Sequence, residues 1–143
     1  MEKKAVVLNR IVYREIIDLL LKKPRIELVG LGFGFSDESQ IILTNFVPMQ
    51  NLDNSPISFS LDYEVMYKEI QNYEREGKSL IAFFHSHPQN AELYPSNKDL
   101  HFMRNWPFPY LWIIGRNNSQ PELIIYALID EKIHKIPFSI TQG

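Results

Sequence analysis

His85 and His87 stand two residues apart, with Ser86 between them and Pro88 after them. In an extended chain, residues i and i+2 project to the same face, so the two imidazoles can reach one point in space. Paired imidazoles suit zinc. A carboxylate as third ligand would leave a position for solvent, which is the open arrangement of a catalytic site rather than a closed structural one. Asp99 is the best-placed carboxylate, in the first turn of a helix that Ser96 opens. Plainer readings stand beside these. A His-x-His pair is often two surface imidazoles, Ser96 and Asp99 satisfy a helix capping box that needs no chemistry, and Glu27 at a strand start can be an ordinary exposed carboxylate.

Composition narrows the chemistry further. There is no cysteine, so a thiol nucleophile and a disulfide framework are excluded, and any hydrolysis falls to a hydroxyl, a carboxylate or an activated water. The lack of cysteine also fits a reducing cytoplasm. At 143 residues, 45% hydrophobic and 22% charged, the chain reads as one soluble domain over residues 1–143, able to bury a core without cross-links. A net charge of −2 argues against nucleic acid as the main partner. The apolar run Ala5–Leu8 is too short for a signal-peptide core. No stretch approaches the ~18 apolar residues of a membrane span. The expectation is a soluble, cytoplasmic protein with no membrane partner.

The elements that must position these residues are mixed. Ala5–Leu8 is a short strand, and Asn9 caps a helix over Arg10–Lys23 with Val12, Ile16, Leu19 and Leu20 at helical spacing, stopped by Pro24. Glu27–Phe35 reads as a strand whose glycines at 30, 32 and 34 leave bare backbone on one face, open to another backbone or a ligand. Ser36–Ser39 connects it to a hairpin partner, Gln40–Val47, and Pro48–Ser58 is a polar loop. Asp62 caps a second helix, Tyr63–Glu76, with Val65, Met66, Ile70 and Tyr73 on one face and Gly77 as its stop. Ser79–Phe84 is an apolar strand leading straight into the histidines. Strands follow at Tyr110–Gly115, Glu122–Ile129 and Lys132–Ile140, with turns at Asn117–Gln120 and Asp130-Glu131. This order predicts an α/β or α+β fold, one mostly antiparallel or mixed sheet packed with helices.

His85-Ser86-His87-Pro88 followed by Ser96-Asn97-Lys98-Asp99 resembles the signature of the JAMM (MPN-plus) metalloproteases. Glu27-Leu28-Val29-Gly30 with Gly34 is similar to that family's upstream glutamate strand, and Val47-Pro48 to Asn51, then Phe59 and Asp62, resembles its middle stretch. The connection from Pro88 to Ser96 is one residue longer than the commonest family form. The resemblance implies a minimal prokaryotic or archaeal member with a curved, cytidine-deaminase-like sheet sandwiched by helices. It implies one zinc ion held by His85, His87 and Asp99, a water activated by Glu27 as general base, and Ser96 donating a hydrogen bond to the tetrahedral oxyanion. The implied reaction is hydrolysis of the peptide or isopeptide bond after the flexible C-terminal tail of a ubiquitin-like or sulfur-carrier protein. The loops 48–58 and 89–95 would border the cleft and grip that tail by strand addition. The alternative is a metal-free scaffold domain of the MPN-minus type, although such domains usually lack a ligand and every ligand position here is filled. His101 reads as a surface residue or a neighbour of the ligands, His134 as an exposed strand residue, and Trp106–Pro109 as an aromatic cover beside the site.

Overall fold

A computed structural model describes residues 4–22, 27–53, 60–87, 94–105, 111–116 and 120–142. The element order is β1 (Ala5–Asn9), α1 (Arg10–Lys22), β2 (Val29–Ser36), β3 (Gln40–Met49), α2 (Tyr63–Glu74), β4 (Ser79–His87), α3 (Asn97–Asn105), β5 (Leu111–Arg116), β6 (Glu122–Ile129), β7 (Lys132–Ile136) and β8 (Phe138–Thr141). Pro24, Pro88, Trp106–Pro109 and Tyr110 lie outside the described residues, as does the turn at 117–119.

Local chemistry accounts for the element ends. The Asn9 side chain accepts the Ile11 amide at 2.8 Å, and Val12, Ile16 and Leu20 are the buried stripe of α1. Asp62 accepts the amides of Glu64 and Val65 to start α2. Met66 and Ile70 are buried there, whereas Val65, placed on the apolar face by spacing, is 44% exposed. Past α2, Gly77 adopts φ 78°, which lets the Lys78 amide return to the Tyr73 carbonyl at 3.0 Å. Asp130 and Glu131 both take positive φ, 51° and 62°, the left-handed pair that suits a two-residue turn between β6 and β7.

The eight strands form one mixed sheet in the order β7-β6-β5-β4-β2-β3-β1-β8. β7 and β8 are its opposite edges, yet they are consecutive in the chain with only Pro137 between them. Ile136 and Phe138 can therefore be no more than roughly 7 Å apart, so the sheet must curl its edges together. This corrects the single strand expected over Lys132–Ile140. Proline has no N–H to give at the point where pairing passes from β6 to β1, and the strand divides there. β3 likewise extends through Pro48 and Met49. On β3, β1 pairs with Gln40–Leu43 alone, so Pro48 sits where that side of β3 makes no β1 ladder.

Alternation along the strands sorts the core into two faces. α1 covers the face carrying Leu8, Leu43, Ala82, Phe84, Ile113 and Ile125. α2 and α3 cover the other, with Leu31, Phe33, Phe83, Trp112 and Ile114. Against β2 the register slips twice, at Ile81 of β4 and at Thr44 of β3, each left as an extra residue. Such paired bulges sharpen the bend of the sheet. The bare backbone of β2 serves this close fit: a Cβ on Gly34 would run into the Ile42 carbonyl, and one on Gly30 would stand 2.5 Å from the Phe46 ring. Among the described residues, no helix is long and apolar enough to cross a membrane.

Gly34→Ala is expected to cost more stability than Gly77→Ala. The first drives a methyl into backbone that cannot swing away, about 2 kcal/mol or more. The second strains only φ, with open space around it, at about 1 kcal/mol. Urea unfolding of the two variants measures the order, and an equal or reversed loss contradicts it.

Candidate metal centre

β4 runs three residues further than its apolar sequence suggested, through His87. The parallel strand β5 accompanies it to the end, pairing Ile114 with His85, Gly115 with Ser86 and Arg116 with His87. The two histidines therefore project from within the sheet. His85 and His87 are buried, 2% and 9% exposed, with ring centroids 5.1 Å apart. They share a face with Phe83, whose ring contacts Phe102 of α3 at 5.2 Å and Trp112 at 5.6 Å. That aromatic contact seats α3 above the end of β4.

The start of α3 then delivers a carboxylate. Ser96 Oγ accepts the Asp99 amide at 3.1 Å, and Asp99 Oδ2 accepts the Ser96 amide at 2.8 Å, a reciprocal capping box. The box turns the Asp99 side chain back over the helix start and onto β4. Its Oδ2 lies 3.0 Å from His87 Nε2 and its Oδ1 lies 3.2 Å from His85 Nε2. The capping reading and the ligand reading are thus one geometry. The additional residue in the preceding connection does not keep Asp99 from the histidines.

Burial alone would push the Asp99 carboxyl up, but the His87 hydrogen bond, the His85 charge and the Ser96 amide outweigh it and bring it down to about 2 from 3.8. The Ser96 oxygen uses a lone pair in the cap, leaving its own proton to donate, and the residue is exposed.

Glu27 comes from the neighbouring strand. β2 begins at Val29, so Glu27 lies two residues before the strand that sequence had assigned to it. It is buried, and its Oε1 lies 3.2 Å from His85 Nδ1, the ring nitrogen turned away from Asp99. Two residues to which the sequence reading gave no role, although both stand in the stretches that carry the family resemblance, hold its backbone. Ser86 Oγ accepts the Leu28 amide at 2.7 Å, and Asn51 Nδ2 donates to the Glu27 carbonyl at 2.9 Å. For Ser86 a signal existed: lying between two histidines of one face, it must point to the other. For Asn51 no local pattern announces the contact.

The donor set fits a divalent cation. Ligand atoms from His85, His87 and Asp99 all lie within 4.8 Å of one another. Bonds of ~2.0–2.1 Å in tetrahedral array place ligand atoms about 3.3 Å apart, close to the 3.2 and 3.0 Å that separate the Asp99 oxygens from the His85 and His87 Nε2 atoms. Two imidazole nitrogens and one carboxylate leave a fourth position for solvent. His101 is exposed on α3, where the Asn105 side chain donates to its carbonyl at 2.7 Å, and His134 pairs with Ala127 in β7; both stand outside the group.

A curled mixed sheet between helices, with His-x-His ending a central strand opposite a carboxylate at a helix start, defines an α+β domain with a candidate metal site. Residues 9–128 match the model of the prokaryotic homologs of the JAB domain, and the chain belongs to that family, as a minimal prokaryotic member of the JAMM peptidases. Over 104 residues it is 33% identical to a desampylase of Pyrococcus furiosus, covering 66% of this chain and 72% of that protein. It is 37% identical over 106 residues to a probable TtuB-protein conjugate cleaving protease of Thermus thermophilus, covering 73% of this chain and 66% of that one. A CysO-cysteine peptidase of Mycobacterium bovis is 25% identical over 96 residues, 67% of this chain and 65% of its own. The solution structure of a Desulfitobacterium hafniense protein shares the fold, with a TM-score of 0.81 at 19% identity over 96% of this chain and 94% of that one.

The lowered Asp99 pKa carries a sign. Ionised Asp99 stabilises the metal-free protein above the ordinary value of 3.8, and that contribution is lost as pH falls through about 2. Asp99→Asn should therefore flatten the fall in stability of the metal-free protein between about pH 5 and pH 2. Urea midpoints across that range are the measurement, and parallel curves for variant and wild type contradict the expectation.

Proposed function

We propose that this chain is a zinc-dependent isopeptidase, one catalytic domain over residues 1–143, acting in the cytoplasm on conjugates of ubiquitin-like or sulfur-carrier proteins. The observation that carries the reading is the meeting of His85, His87 and Asp99 within 4.8 Å, with Glu27 3.2 Å from the far nitrogen of His85. The relatives named for desampylation, for TtuB-conjugate cleavage and for CysO-cysteine hydrolysis support the substrate class. A chain without cysteine supports the cytoplasmic placement and excludes a thiol nucleophile, and the metal-ligating group favours water in its place.

In this reading His85 and His87 offer Nε2 and Asp99 offers its carboxylate to zinc. When bound, zinc would supply Lewis acidity, making water more acidic and polarising the scissile carbonyl. Glu27, buried beside His85, takes a proton from the attacking water and passes it to the departing amine as the C–N bond breaks. Ser96 turns its hydroxyl proton towards the oxygen that gains charge. His85 bridges base and ligand set, its Nδ1 to Glu27 and its Nε2 to Asp99, so that the ring orientation serves both.

Purified protein is expected to hold one zinc per chain and to cleave members of a panel of ubiquitin-like fusions and lysine conjugates. Glu27→Gln should keep its zinc and lose nearly all hydrolysis, whereas His87→Ala should lose both. Ser96→Ala should lower kcat by about 100-fold, on the order of 3 kcal/mol in the transition state. Metal analysis with turnover assays reads all three, and wild-type turnover by Glu27→Gln removes the mechanism.

A further inference from the structure

We infer that Asn51 and Ser86 are positioning residues for the base: together they grip the single peptide group that sets where the Glu27 carboxylate stands. The inference rests on Glu27 being the base in the reaction proposed above. The carbonyl of Glu27 and the amide of Leu28 are the two polar ends of one planar peptide group. Asn51 Nδ2 donates to the first at 2.9 Å and Ser86 Oγ accepts the second at 2.7 Å. The regular ladder of β2 starts only at Val29, opposite Met49 and His85. At the position that carries the base, side chains take over the task that strand pairing performs elsewhere. With both ends of the plane held, the direction in which the Glu27 side chain leaves the backbone is set.

Both grips are themselves held. Asn51 is 7% exposed, and its Oδ1 accepts the amides of Asp53 and Ser60, each at 3.1 Å. Two N–H donors facing that oxygen fix which end of the carboxamide is which, so the Nδ2 end must point at Glu27. Ser86 is fully buried, and its own amide donates to the Leu28 carbonyl at 2.9 Å. Because side chains alternate along a strand, β4 presents His85 and His87 on one face and this hydroxyl on the other. The stretch that offers the ligands therefore also holds the base's backbone. A displacement of about 1 Å at a reacting group can cost on the order of 100-fold in rate. A residue with three rotatable bonds needs its origin fixed before packing can fix its end.

The test uses zinc-loaded wild type, Asn51→Ala, Ser86→Ala, the double variant and Ser86→Thr, with steady-state kinetics, bound zinc and exchange of the Leu28 amide measured for each. Each single alanine variant should lower kcat by about 10- to 100-fold with KM within about threefold and zinc retained. The double variant should be no worse than the poorer single, because both side chains hold one peptide group. Ser86→Thr, which keeps the hydroxyl, should recover most of kcat. Wild-type kcat in a zinc-retaining single variant, losses that multiply in the double, or activity lost only together with zinc overturns the inference. Should Asn51→Ala not fold, Asn51→Asp, which keeps the acceptor for Asp53 and Ser60 but not the amide donor, carries the same expectation. If wild type cleaves no member of the panel, the proposed function fails separately. Amide exchange then decides the clamp: faster Leu28 exchange in Ser86→Ala upholds it, and unchanged exchange overturns it.

Discussion

The contact of the Asp99 carboxylate with two imidazoles of one strand is the constraint around which this fold is arranged. Glu27, His85, His87 and Asp99 are each less than a tenth exposed. Burying ionisable groups costs several kcal/mol apiece unless each finds a partner. Here the partners are one another, at 3.0 to 3.2 Å, and a backbone amide at the start of α3. Such a cluster is stable only if a helix start, the end of a central strand and the entry to its neighbour arrive at one place. A first-turn carboxylate is also the charge that a helix N-terminus favours. The aromatic seat of Phe83, Phe102 and Trp112 ties α3 to β4 with apolar surface, independently of the charges it carries.

Topology makes that meeting point available. β4 and β5 run parallel, and the chain between them carries α3. In a strand–helix–strand unit of this kind the strand's C-terminal end and the helix N-terminus open on the same side, where sites collect in α/β sheets. The other neighbour of β4 is the antiparallel β2, so the beginning of β2 lies beside the end of β4. Glu27 thus arrives two residues before the β2–β4 ladder begins, beside His85 and His87 at the end of β4 and Asp99 at the start of α3. The last three sit on rigid elements, the condition for holding reactive groups to within a fraction of an ångström. The curl of the sheet serves a separate purpose, closing one core around α1 while the second core and the site occupy the opposite face.

The strand from Ser79 to His87 does more than one task per residue. Its first part carries core residues on both faces, with a bulge at Ile81 that sends two successive side chains, Ile81 and Ala82, into the same core. Its last part offers two imidazoles on one face and a hydroxyl to the Leu28 amide on the other. Relatives with 25% to 37% identical residues are named as a desampylase, a probable TtuB-protein conjugate cleaving protease and a CysO-cysteine peptidase. A site whose geometry is stored in a sheet ladder and a helix cap, rather than in a long loop, can keep its form under that much change elsewhere.

Much of this was legible in the chain itself, wherever chemistry follows a local period. The spacing of two puts His85 and His87 on one face, Asn9 and Asp62 announce helix starts, Gly77 announces a stop, and Ser96 with Asp99 spells a cap. Where a strand divides or runs on was not legible. Pro137 splits one expected strand into the two edges of the sheet, and β4 continues through His87 only because β5 lies beside it. The meeting of Asp99 with His87 across 12 residues, of Asn51 with the Glu27 carbonyl across 24, and of Ser86 with the Leu28 amide across 58 leaves no periodic trace. Residue types and their local spacing determined which groups are able to do chemistry. Only tertiary structure decided which of them touch, because those contacts depend on strand order and register, which are settled by how the two cores pack and not by any neighbour in the chain.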